Sequence, residues 1–134
     1  MLHHRSRSDG FLQAMRVLAV NLEAHGNAVA LLAVHAAISL GDAVMLACTG
    51  RRSKDQDHLA AVDALRRLCA SRGIDPAGLN HLSWLVARKT VFAYGDKRLD
   101  LNDDVRRAQL NVERFATWAY KHFKEIARAE RSHD

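Results

Sequence analysis

His35, Ser39 and Asp42 interrupt a stretch otherwise made almost wholly of Ala, Leu and Val, at spacings of four and three residues. On a helix those spacings place an imidazole, a hydroxyl and a carboxylate along one side, where they form a hydrogen-bonded row or line a pocket. The purely structural counterpart is a satisfied core His and Ser, with Asp42 bonded to a neighbouring Arg or Tyr. In both cases Asp42 needs a partner, because an unpaired carboxylate on an apolar face is costly. A second cluster follows directly, with Arg51, Arg52, Lys54 and His58 beside Asp55 and Asp57. Five residues separate Arg52 from His58, a spacing that lets a guanidinium hold a phosphate while an imidazole moves a proton. A charged, solvated turn between helices has the same composition.

Other chemistries are poorly provided for. No H-E-x-x-H, no paired His and Cys spacing and no gathering of acids is present, so neither a metal site nor a cofactor is expected. Glycine-rich phosphate loops and dinucleotide fingerprints are missing too. Cys48 and Cys69 have 20 residues between them and no C-x-x-C pairing, which reads as two small buried hydrophobes in a reducing compartment. Trp84 and Trp118 sit among Leu and Ala at helical spacing, as bundle-core or interface aromatics rather than platforms for stacking bases.

The elements that must position these groups are all helices. A first helix is expected after Ser8 or Asp9, with Phe11, Met15, Leu18 and Leu22 inward and Gly26 as its stop. Asn27 then caps a second helix running to about Thr49, with Leu31, Val34, Ile38 and Met45 on one side and further apolar residues on the others. A helix apolar around most of its circumference belongs at the centre of a bundle or against a partner subunit. Asp55 or Asp57 caps a third helix whose buried stripe is Val62, Leu65, Leu68 and Cys69, ended by Ser71, Arg72 and Gly73. Asp75 and Pro76 open a short turn, residues 80–94 make a fourth helix, and a charged loop reaches to 102. From Asp103 and Asp104 the last helix steps through Val105, Ala108, Val112, Phe115, Ala119, Phe123 and Ile126, leaving Arg106, Arg107, Glu113, Arg114, Lys121 and Lys124 on the far side. The result is an all-α, antiparallel up-and-down bundle of four to five helices in one domain, with residues 1–9 and 130–134 frayed.

Composition agrees with that architecture. The 134 residues are 49% hydrophobic, and 22 Ala and 17 Leu against 13 Val and Ile together favour helix over strand. A charged fraction of 26% beside so many apolar residues excludes global disorder. The net charge is +5, and residues 51–72 hold six basic against three acidic side chains, the more plausible anion-facing surface. The opening MLHHRSRSDG has no apolar run, so a secretory signal is not expected, and His3 with His4 are too few for a metal site. Residues 28–40, the longest apolar stretch, are interrupted by His35 and Ser39 and fall short of a membrane span. A cytoplasmic protein without membrane contact is the expectation.

The segments NAVALLAVHAAISLGDAVMLACTGRRSKDQDH, LVARKTVFAYG and FATWAYKHF together resemble the HEPN superfamily, small all-helical domains of the kind that bind beside nucleotidyltransferases. The resemblance spans residues 11–123 and implies a bundle of four or five helices, commonly a homodimer. Members include ribonucleases of toxin-antitoxin type, partners of nucleotidyltransferase-like proteins, and degenerate domains. Active ribonucleases in this superfamily carry an Arg, four to six residues, then a His. Here the similar position runs from Arg88 to Tyr94, and Phe92 or Ala93 stands where the His is expected. Neither transfers protons, so the resemblance implies a degenerate member without catalytic residues. The expected function is a non-catalytic helical domain that binds a protein partner or a nucleotide or RNA ligand, with His35, Ser39, Asp42, Arg88 and Tyr94 as the ligand-facing or polar-core site and Arg51, Arg52, Lys54 and His58 as phosphate contacts. Its rivals are a metal-independent ribonuclease using Arg52 and His58, or Arg88 with a His brought in from elsewhere, and a purely structural oligomer. A two-fold dimer is the expected assembly, since so much of the second helix is apolar.

Overall fold

The computed structural model describes residues 2–18, 22–51, 57–94, 101–124 and 126. It forms the expected all-α bundle: α1 (Leu2–Leu18), α2 (Leu22–Thr49), α3 (His58–Arg72), a 3₁₀ turn (Pro76–Gly78), α4 (Leu79–Ala87), α5 (Lys89–Tyr94) and α6 (Leu101–His122). No strand occurs among the described residues.

The central helix is α2, which touches every other helix. Val29, Ala30, Ala33, Val34, Ala36, Ala37, Leu40, Ala43 and Val44 are all buried, so much of its apolar circumference is covered by its own chain. Residues Ala28–Thr49 make a run of 22, longer than the stretch counted from sequence, and by length and composition long and apolar enough to cross a membrane. The core helix of a bundle meets the same description, and 61% of its most apolar window is buried here.

Two boundaries differ from expectation. The first helix begins at Leu2, ahead of the capping residues Ser8 and Asp9, and Ser8 is instead buried, its Oγ donating to the Ala36 carbonyl at 3.0 Å. A hydroxyl that finds a carbonyl on a neighbouring helix no longer competes for its own backbone. Likewise α2 runs through Gly26 and Asn27 rather than starting there. A helix-interior glycine costs only about 0.5–1 kcal/mol, and the packing of α2 offsets it.

The α3 boundaries follow the sequence signals. The Asp57 carboxylate accepts from the amides of Leu59 and Ala60 at 3.0 and 3.4 Å, and Gly73, at φ 65°, closes the C-terminus. Asp75 then caps the 3₁₀ turn at the amide of Ala77. Gly78 lies against the indole of Trp118, whose Nε1 donates to the Asp75 carbonyl at 3.0 Å, so α6 locks the connection that delivers α4.

The expected fourth helix is broken into α4 and α5. Arg88, at φ −106° and ψ 5°, steps out of helical geometry, its amide donating to Leu85 while its carbonyl accepts from Phe92. Phe92 is thereby placed in the core, its ring centroid 6.3 Å from that of Trp84. The amphipathic α6 completes that core with Val105, Ala108, Val112, Phe115 and Ala119, continued by Phe123 and Ile126 past the helix end. Cys48 and Cys69 are free thiols, the first half-buried and the second buried. Residues 95–100 and 130–134 lie outside the described residues.

A candidate anion-facing corner of the bundle

The α4/α5 break decides where two adjacent cations go. Arg88 folds back over the indole of Trp84, its guanidinium carbon 4.0 Å from the ring centroid and its Nη1 donating to the Trp84 carbonyl at 3.1 Å. Lys89, the next residue, reaches in another direction, and its Nζ lies 3.3 Å from Nε2 of His58 at the start of α3. An ammonium has only protons to give, so this contact requires His58 to present the lone pair of a neutral imidazole.

His35 and Asp42 on α2 belong to the same corner. Burial lowers the pKa of His35 below its ordinary value, helped by the charge of Lys89 and then by that of His58. Burial likewise lowers His58, with Lys89 adding to the effect, while Asp42 and Asp57 pull the other way without reversing it. Both imidazoles are therefore held toward the neutral form, in which each ring has one N–H to donate and one lone pair to accept a hydrogen bond. Asp42 is half-buried, and Phe11 of α1 covers the His35 ring at 5.5 Å between centroids.

Beside this cluster lies a small cleft between α2, α3 and α4, walled by Ile38, Met45, Leu65, Leu82 and Val86 with Asp42 and His58 at its edge. Its volume is about 20 Å³, roughly the space of one water molecule. A nucleobase does not fit inside it.

A larger opening of about 290 Å³ lies between α1 and α6, bordered by Gln13, Thr117 and two linked pairs. There Arg16 donates from Nε and Nη2 to the two carboxylate oxygens of Glu113 at 2.8 and 2.9 Å, and the Tyr120 hydroxyl donates to Asp9 at 3.3 Å. Its charged groups answer one another across the opening.

The two clusters read separately from sequence thus meet, since His58 joins His35 and Asp42. Ser39 is buried in the core, and Arg51 is exposed just past the end of α2, its amide donating to the Thr49 hydroxyl at 3.2 Å. Arg88 turns to Trp84 rather than to Asp42. Arg52, Lys54 and the side chain of Tyr94 lie outside the described residues. Lys89 was not singled out from sequence. Its one signal is the adjacent pair Arg88-Lys89, which becomes informative only once the helix is known to break between them. Among the described residues no group of three or more His, Cys, Asp and Glu side chains is arranged to hold a metal ion. Compared with family models, with curated proteins and with solved structures, the chain gives no match.

Proposed function

We propose that the chain is a non-catalytic, HEPN-like recognition domain that binds a nucleotide or RNA ligand through phosphate at the corner where α2, α3 and α5 converge. The observation that carries this reading is the contact of Lys89 with His58, 3.3 Å, from two different helices and beside His35. A lysine ammonium and imidazoles that can each donate an N–H at one half-buried corner suit an oxyanion better than an apolar or cationic ligand. The adjoining cleft is too small to hold a base, which favours recognition of the phosphate over recognition of a nucleobase. No His stands in the stretch from Arg88 to Tyr94 that resembles the ribonuclease motif: Phe92 is buried in the core, and Ala93, with four residues between it and Arg88, has nothing to titrate. Anisotropy of a labelled single-stranded RNA tests the proposal. Binding that weakens with salt and falls severalfold in Lys89→Met supports it, because phosphate contacts release counterions. No binding at low salt overturns it.

A metal-independent ribonuclease is the second reading, favoured by the closeness of two near-neutral imidazoles and a lysine. The neutral ring of one His would take the proton of a 2′-hydroxyl, the other, entering as the imidazolium, would give its proton to the leaving 5′-oxygen, and Lys89 would face the developing negative charge. Cleavage that persists in a chelator and disappears in both His35→Ala and His58→Ala would establish it in place of the first.

A homodimer is proposed as the assembly. Val17 on α1, Leu59 on α3 and Leu110 on α6 are the large aliphatic side chains exposed among the described residues, and a second copy would cover some of them. Light scattering giving the monomer mass at all concentrations would exclude it.

A further inference from the structure

Lys89, His58 and His35 are supplied by three different helices, and the groups facing them can be named from each side. From α1 comes Phe11, against the His35 ring; from α2, Asp42 in addition to His35; from α3, Asp57 next to His58; from α5, Lys89; from α4, the apolar Leu82 and Val86 that wall the cleft. The Asp57 carboxylate is already engaged with the amides of Leu59 and Ala60. Lys89 and His58 share one hydrogen bond, and that bond exists only while His58 is neutral. A proton on His58 would set two donors face to face.

We infer that Lys89 and His58 form one subsite for a terminal phosphate, a tetrahedral dianion, with His35 within reach of its field, and that filling it takes up protons on His58 and His35. The inference rests on the phosphate-binding reading for its ligand class. An oxyanion lodged between Lys89 and His58 accepts from both and replaces the bond they share. It also inverts the local field, favouring the charged form of His58 by contact and that of His35 through space. Burial and the charge of Lys89, which hold both rings toward the neutral form, are then opposed by the anion. Linkage is reciprocal: an anion that promotes protonation binds more tightly as pH falls, by up to about tenfold per pH unit for each proton taken up. A dianion draws protons more strongly than the monoanionic diester of an RNA backbone, so the subsite favours a chain end or a mononucleotide over an internal phosphate.

Sulfate is the probe, since it remains a dianion from pH 5.5 to 8. Titrating the full chain with sodium sulfate while following the ring signals of His35 and His58 by NMR should give binding at least about fivefold tighter at pH 5.5 than at pH 7.5, with both apparent pKa values raised at saturation. Lys89→Met should weaken sulfate binding about tenfold, and His58→Gln should remove much of the pH dependence; far-UV circular dichroism at both pH values checks that each variant is folded. Sulfate binding that ignores pH, or leaves both rings unmoved, overturns the inference. The two proposals separate with a pair of RNAs differing only in a 5′-phosphate. Preference for the phosphorylated strand, competed by sulfate, supports the subsite. Equal binding of both strands with no competition removes the subsite and leaves RNA recognition standing, whereas sulfate binding with the expected pH dependence and no RNA binding does the reverse.

Discussion

Gly78 and the indole of Trp118 occupy the same place in a way that leaves no room for a β-carbon: one built on Gly78 would fall among the ring atoms. The ring is held there by its Nε1 bond to the Asp75 carbonyl and by neighbouring Phe115 and Phe123.

Gly78→Ala must therefore displace Trp118 or the 3₁₀ turn. Overpacking of this kind costs about 1–3 kcal/mol, and the fixed ring argues for the upper part of that range. Thermal or urea unfolding should show the loss, while Gly10→Ala in α1, with nothing within 4 Å of the new carbon, should be neutral or stabilising by about 0.5–1 kcal/mol.

Stability should depend on pH through His35 and His58. Their folded pKa values lie below the ordinary 6.5, so above that pH both are neutral in the folded and unfolded chains and contribute no slope. As pH falls through 6.5 the unfolded chain binds protons first, and stability declines until the folded rings also titrate. His35→Gln combined with His58→Gln should flatten this acid limb in urea titrations. At the alkaline end, burial raises the Cys69 thiol above 9.0, so stability declines as pH rises through that value, a limb that Cys69→Ser should reduce.

Removing Lys89 should move the two imidazoles in one direction. Its charge lowers both, so Lys89→Met should raise the pKa of His58 and of His35, as read from NMR titration of the unliganded protein. Asp42→Asn should lower that of His58, because the Asp42 carboxylate is what supports its charged form. No movement in either variant would mean that the corner is not assembled in solution.

Phe115→Ala should cost about 3–5 kcal/mol, since the ring is fully buried at the meeting of α6 with the core and its loss leaves a cavity. Arg16→Ala, by contrast, should cost less than about 1 kcal/mol: its pairing with Glu113 is bidentate, but the two side chains are 54% and 40% exposed.

Helices with strong punctuation were legible in the sequence. Asp57 and Gly73 bound α3 because a carboxylate cap and a left-handed glycine act locally, and the stripe from Val105 to Ile126 is buried as its spacing required. Where tertiary contacts decide, local signals misled. Ser8 found a carbonyl on α2 instead of capping its own helix, and Gly26 was absorbed by a helix whose burial outweighs one unfavourable residue. Of the polar corner, His35, Asp42 and His58 were legible as chemistry but not as neighbours, because sequence spacing speaks only within an element. Lys89 had no legible role, since nothing in LVARKTVFAYG marks Arg88 as the place where the helix turns.

That turn also sets a rule about chain length. Each residue added to a helix rotates everything beyond it by about 100° and advances it by about 1.5 Å. With Arg88 stacked on Trp84 and Phe92 sunk in the core, Lys89 meets His58 only because the joint has its present count of residues. One extra alanine between Arg88 and Lys89 would swing the ammonium away and lift Phe92 out together, although no side chain would have been altered. The joint therefore tolerates exchanges of residue type at exposed Thr90 and Ala93 far better than any insertion or deletion, so the geometry of the corner is encoded there in register as much as in identity.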